Sequence, residues 1–433
     1  MVRAILPALL ILLVPAGPGR GAQNTFYCDP AKGTAGGNGS SPSPWRTLEE
    51  VIAARLIQVR GPDGRVSNPN APVRPGDTIL LRSGYHGAIR IASGYNDVPI
   101  TIAAEKGQAP QVASVEIDEG RKWTIRGLTV SPSLAPVPPA KPPHDLVVLG
   151  ERGREDSSEL VIEDCFIYSV LDASTWGAKD WVNKPHSGIW LGRNGRGHVA
   201  RNNYILNTRF GINLCAPGVL CEGNVVDSFS GDGIRVTRDG QVVQYNVVKN
   251  NFVSDRDGDD NHDDGIQAFL FNKGTGTMRG VTVRGNIIVH RESPNLPFPN
   301  PLQGIGFFDG PLVEFVVEKN VVLTNHWHGV SLYDAQNCRV EENACFSLWM
   351  KESPRPWVML GGKRRQAKGN TVRNNMAHSF NFQADAEVKA ENNQNVKAEA
   401  FYRRLAELLA QIEEKYGKPH PTAKRPRLAL TAR

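Results

Sequence analysis

Short apolar runs bounded by Gly, Pro, Asn and Asp recur along most of the chain, and within them apolar and polar residues alternate. That period of two is the signature of half-buried strands. From about residue 123 two phrases repeat. One, V-x-R/E-x-N-x-V/I, places Asn203, Asn224, Asn246, Asn286, Asn320, Asn343 and Asn375 in one slot. The other, x-G-I/V, falls at Gly188, Gly211, Gly233, Gly265, Gly304 and Gly329. The shortest intervals are about 21 to 25 residues, one rung of a β-solenoid. A single rung cannot bury its apolar face, so stacked rungs build a continuous core. The Asn slot reads as a structural turn position whose amide bonds the turn and the rung beside it.

Two segments break the strand pattern. Thr47, with Glu50 three residues on, has capping-box spacing and predicts a helix carrying Leu48, Val51, Ile52, Ala53 and Leu56. From Asn395 to about Tyr416, the residues Phe401, Leu405, Leu408, Leu409 and Ile412 share one helical face, which could cover the last rung or lie along the solenoid. The division expected is 1–22 leader, 23–394 solenoid, 395–416 helix and 417–433 a basic, disordered tail.

The irregular intervals carry the functional signal. Extra length gathers after the Asn strand and before the x-G-I strand, in Ser131–Asp145, Leu171–His186, Ser254–Asp263 and His290–Pro301. Insertions at one turn emerge along one edge of a solenoid. With short connections before Phe210 and Gly231, the expectation is a groove walled at both ends, floored by the outward face of the x-G-I strands. Alternation gives one outward column as Ser187, Phe210, Asp232, Asp264, Gln303, His328 and the next as Trp190, Asn213, Arg235, Gln267, Gly306, Ser331. Asp232 and Asp264 are then neighbours about 4.8 Å apart, Arg235 stands beside them, and His262 and Asp263 enter from the loop.

Composition narrows the classes. In residues 1–22 one Arg precedes an apolar run that is followed by small residues, which predicts a secretory signal and an exported or periplasmic protein. No other run is long enough to span a bilayer. The net charge of +6 and pI of about 9.0 suit an acidic polymer, although part of the excess sits in the tail. Export argues against a nucleic-acid partner. Six cysteines do not make a disulfide scaffold, and buried thiols in stacked strands are the expectation. None has zinc spacing.

The phrases DP…GS…PWRTL, PGDTILL and GYHG near the start, followed by these rungs, resemble the secreted right-handed parallel β-helix proteins of the pectate-lyase-like superfamily. The resemblance covers most of residues 24–390. It implies an all-β, right-handed parallel β-helix of about ten rungs, with an N-terminal capping helix and a C-terminal helix, acting as a monomer on an acidic polysaccharide. The DDGI and HGVSL phrases are similar to polygalacturonase motifs, with one extra rung, Gln303-Gly304-Ile305-Gly306, between them. The Lys/Arg pair of alginate and chondroitin B lyases and the Asp-Pro-His-Asp motif of mannuronan epimerases are absent.

The reaction expected first is β-elimination on a uronate, with hydrolysis, C5-epimerisation or non-catalytic binding as alternatives. His262 and Arg235 are candidates to move the C5 proton, Arg235 also as a clamp on the substrate carboxylate, with Asp232 and Asp264 as ligands or orienters. Gln267, Trp190, Asn213, His328, Trp327 and Trp181 are candidate sugar contacts, since an aromatic face stacks on sugar C–H groups and otherwise packs as core. Calcium is the candidate cofactor, held by oxygens of Asp232, Asp259, Asp263 and Asp264, and no organic cofactor is expected. The acidic loop, which also holds Asp255, Asp257 and Asp260, is not an EF-hand: His262 fills the obligatory Gly slot and Ala268 the Glu slot.

Overall fold

The computed structural model describes residues 23–417 except 139, 152–156, 253–261, 271–275, 294, 299–300, 348–354, 364 and 385. The proposed leader and almost all of the basic tail lie outside that set. So does most of the Ser254–Asp263 loop, with Asp255, Asp257, Asp259 and Asp260.

Three long sheets of 14, 11 and 12 strands run the length of the molecule, and every pairing between their strands is parallel. Successive strands of one sheet are separated in sequence by strands of the other two, so the chain winds as a parallel β-helix. A parallel crossover back to the same sheet is almost always right-handed. The core is one column of Ile, Val and Leu sealed between the sheets.

Turns are set by the asparagine ladder. Each ladder side chain accepts from the backbone N–H and amide of the Asn on the previous rung: Asn224 Oδ1 from Asn203 (3.0 and 2.9 Å), Asn246 Oδ1 from Asn224 (2.9 and 3.0 Å), Asn286 Oδ1 from Asn246 (3.0 and 2.9 Å). The ladder extends one rung beyond the repeat read from sequence, to Asn393. The residue before each ladder Asn takes the left-handed conformation, as at Asn202, Tyr245, Lys319, Glu342, Asn374 and Asn392 with φ of 51–58°. That tight corner turns the Asn amide inward along the solenoid axis.

The first helix, α1 (Leu48–Ala53), begins where expected: Thr47 accepts from Glu50 N at 3.3 Å, and Leu48 and Val51 are buried. The Glu50 carboxylate pairs with Arg46 instead of closing a capping box. A short helix, α2 (Ala178–Asn183), forms inside the Leu171–His186 insertion, which read only as a wall loop. The third, α3 (Ala398–Tyr416), lies along the solenoid side: Phe401, Leu405, Leu408 and Ile412 pack on outward residues such as Tyr204, Val225, Ile287, Val321 and Phe346. Its 19 residues span about 28 Å, enough for five rung spacings of about 4.8 Å. Tyr416 closes the far end with a 3.0 Å bond to Glu222.

The insertions do not stand apart as two walls. Trp181 of α2 stacks on Phe252 (4.3 Å, 11°), and Trp176, Leu296 and Phe298 join them, so residues of Leu171–His186 and His290–Pro301 share one apolar cluster. Its physical cause is the amphipathic turn of α2, whose apolar side has nowhere else to be buried. All six cysteines are free and buried.

Candidate functional site

The register of the 11-stranded sheet aligns Ile212, Ile234, Ile266, Ile305 and Val330 inward. The residues that follow them, Asn213, Arg235, Gln267, Gly306 and Ser331, form the outward column with Trp190. This is the column derived from the repeat.

At its centre five residues form one chain. Asp232 accepts from Arg235 Nε (2.5 Å) and from the backbone N–H of Asp264 (3.0 Å). Asp264 Oδ2 meets His262 Nδ1 at 3.2 Å and accepts from Gln267 Nε2 at 3.2 Å. Asp264 Oδ1 has no hydrogen-bond partner among the described residues. It lies over Gly306, where a Cβ would stand 2.0 Å away, so this rung needs glycine to leave the carboxylate room.

Exposure sorts these groups differently from the expectation. Asp232 and Asp264 are both 0% exposed, whereas the His262 side chain is 51% and the Arg235 side chain 18% exposed. Both acids were expected on an open floor. Arg235 covers one, and the His262 ring, Gln267 and the neighbouring Phe308 surround the other. The groups presented to a ligand are therefore the imidazole and the guanidinium.

Electrostatics follows from that arrangement. The hydrogen bond from Asp264 lifts His262 to about 9, against the opposing effect of burial. Burial lifts Asp264 to about 7; the His262 bond opposes this and the Asp232 charge adds to it. Both shifts keep a proton on the pair. Arg235 is ion-paired to Asp232 and lies 3.5 Å over the Phe210 ring, with Phe269 at 5.5 Å. A guanidinium so held keeps its charge and presents a planar fork of donors.

The other expected contacts divide. Trp190 is part-buried, with Nε1 bonded to Glu151 at 2.8 Å, and Arg193 holds the same carboxylate. Asn213 is 3% exposed. Trp181, expected as a sugar platform, is buried with its face covered by Phe252, so it is core. Trp327 is 52% exposed. His328 Nδ1 bonds Ser331 Oγ (2.7 Å) and receives Trp357 Nε1–H (3.3 Å). An indole N–H can only donate, so that nitrogen is an acceptor and the ring is neutral. Burial lowers both His326 and His328 to about 4, and the nearby His262 charge adds to this.

Phe308 and Trp357 were missed from the sequence. Phe308 lies 5.9 Å from His262 and 4.8 Å from His328. Strict alternation beyond Gly306 and inward Phe307 would have found it. Trp357 follows a long interval in which the repeat count is lost.

The acids expected to hold calcium do not supply a fitting donor set. Asp232 uses both oxygens, Asp263 is 2% exposed and accepts from Asn251 (2.9 Å), and Asp264 keeps only Oδ1. A hard cation needs six or more oxygens, and Arg235 already neutralises the acid at its side. Among the described residues no three His, Cys, Asp or Glu side chains could hold a metal ion. Asp259 lies outside them.

No family model matches the sequence, and neither does any curated protein. Solved structures do match. A GH136 lacto-N-biosidase from Eubacterium ramulus is similar with a TM-score of 0.51 at 14% identity, over 86% of this chain and 68% of that one. A protein described as a glycoside hydrolase has a TM-score of 0.52 at 10% identity, over 88% and 98%. An alginate lyase from Paenibacillus is more distant, with a TM-score of 0.40 at 15% identity over 75% and 94%. At these identities the likeness is one of fold. Among the described residues no helix is long and apolar enough to cross a membrane. This chain has a parallel β-helix fold, which it shares with these solved structures.

Proposed function

We propose that this protein is an exported polysaccharide lyase that cleaves a uronate-containing polymer by β-elimination at His262 and Arg235. The observation that carries the reading is the contrast in exposure: an accessible imidazole backed by a buried carboxylate, beside an accessible guanidinium. Asp264 fixes the ring by its Nδ1 and leaves Nε2 for the substrate. The Arg235 guanidinium pairs with the uronate carboxylate, which stabilises the charge that develops when the C5 proton leaves. Neutral His262 takes that proton, the electron pair forms the C4–C5 double bond, and the C4–O bond breaks. The imidazolium so formed returns the proton to the departing oxygen. Asp232 and Asp264 position the two working groups and touch no substrate.

Hydrolysis is the second reading, favoured by one feature: a carboxyl raised to about 7, as a general acid requires. Its full burial stands against it, because a glycosidic oxygen must come within hydrogen-bond reach of the acid. Epimerisation would use the same proton abstraction without loss of the leaving group.

The test is a panel of uronate polysaccharides, following the ultraviolet absorbance of the unsaturated product and new reducing ends together. The lyase gives both, and both are lost in His262→Ala and reduced in Arg235→Lys. Reducing ends without absorbance would replace elimination by hydrolysis, and silence on every polymer would leave a binding protein.

A further inference from the structure

Beyond His262 the outward face changes character. A file of rings starts at the imidazole and continues through Phe308 (5.9 Å), His328 (4.8 Å from Phe308), Trp357 (5.4 Å from His328) and Trp327 (6.5 Å from Trp357, 21° between planes). Phe308, His328 and Trp357 belong to three successive rungs after the Asp264–Ala268 strand. The file therefore extends about 14 Å from the His262–Asp264 pair at about 4.8 Å per rung. Trp327, at its end, is the only aromatic ring among the exposed large hydrophobic side chains of the described residues.

Charge falls away along the same path. The cations at the start of the file are His262, beside Asp264, and Arg235, one rung earlier beside Asp232. His328 is neutral by its bond from Trp357, and burial together with the His262 charge keeps His326 and His328 unprotonated at working pH. Of the described cations further along, Lys363 has its Nζ 5.9 Å from the Tyr333 ring, which adjoins Phe308 at 5.5 Å, and Arg355 acts on His378. A carboxylate laid among these rings would lose water and gain no partner. A neutral pyranose would instead stack its C–H face on exposed indole.

Resting on the lyase reading, we infer that the substrate is an alternating polymer: a uronate binds at His262 and Arg235, and a neutral sugar binds on the Trp327–Trp357 side. Homopolymers of uronate are excluded because their next carboxylate would lie on the ring file.

The test compares binding with cleavage. Calorimetry on the inactive His262→Ala protein would use hyaluronan and rhamnogalacturonan-backbone oligosaccharides, against oligogalacturonate and oligomannuronate of equal length. At least one alternating oligosaccharide is expected to bind tenfold or more tighter than both homopolymers. Trp327→Ala, at an exposed position that leaves the fold intact, should weaken that binding about tenfold, the worth of one stacked face. Trp327→Arg should narrow the preference by giving a carboxylate its partner. Homopolymers binding equally well or better, no binding by any of the four, or a preference unchanged in Trp327→Ala would overturn the inference. Failure of the lyase reading registers separately: wild-type protein would give no unsaturated product from the oligosaccharide that it prefers.

Discussion

Asp264→Asn separates the pair without removing its shape. The bond from Asp264 is the largest contribution holding His262 at about 9, and burial is the main force in the other direction. With the carboxylate gone, burial is opposed only by the more distant Asp232 and a backbone hydrogen bond, and His262 should titrate well below 9, toward its ordinary value of about 6.5. At pH 7 a group near 9 is about 99% protonated and a group at 6.5 about one quarter protonated. The assay is an NMR titration of the ring protons, with His262→Ala identifying the resonance among the 10 histidines.

The same shift is a stability statement. A histidine whose folded value exceeds its unfolded value stabilises the fold below pH 6.5 and loses that contribution as pH rises through about 9. Asp264 acts in the same sense, because the folded state also binds its proton more tightly than the unfolded chain. The wild-type melting temperature should therefore decline from about pH 4 to 7 as Asp264 titrates and on from about pH 6.5 to 9 as His262 does, and the decline from about pH 6.5 to 9 should flatten in Asp264→Asn. Elimination by wild-type protein should rise through the same interval, since the base works in its neutral form. A His262 titration that stays near 9 in Asp264→Asn would refute the reasoning, because Asp232 would then be the group that holds the proton.

Three other outcomes follow. Gly306→Ala would push a methyl group against Asp264 Oδ1, so His262 should titrate lower and elimination should fall, while Gly36→Ala, where a Cβ meets nothing within 4 Å, provides a comparison for activity. Asn246→Ala would leave the Asn224 N–H without its acceptor, while the Asn224 amide keeps the Ala200 carbonyl and Asn286 Oδ1 keeps the N–H of residue 246, so at about 1–3 kcal/mol for an orphaned group it should lower urea stability by about 1–3 kcal/mol. Trp181→Ala should cost about 3–5 kcal/mol of stability and leave sugar affinity unchanged, since its face lies on Phe252 and not in the groove.

The solenoid was legible because its period is carried by residues that have no alternative use. A ladder Asn must be an amide at one position per rung, and Ile234, Ile266 and Ile305 must point inward, so a single register satisfies both. That register placed Arg235, Gln267 and Gly306 on one outward column before any coordinates were considered. What alternation does not give is depth. Asp232 and Asp264 do point outward, yet a 2.5 Å ion pair and a bond to His262 roof them over. Both contacts join residues only three and two positions apart, but alternation gives the direction of a side chain and not which neighbour folds over it.

The same distinction explains the tryptophans. Trp181 and Trp327 both follow polar stretches in insertions and look equivalent in the sequence. Trp181 sits on α2, whose one and a half turns can bury an apolar side only against Phe252, so its ring was consumed by packing. Trp327 precedes a strand whose first residue, His328, is already held by Ser331 and Trp357, which leaves the Trp327 ring outside a completed contact. An aromatic residue is left for a ligand when the polar groups around it have satisfied one another without it. By that criterion Trp327, and not Trp181 or Trp190, is where sugar affinity should be lost on truncation to alanine. Equal losses at Trp181 and Trp327 in the binding assay would mean that packing, and not contact with a ligand, governs both.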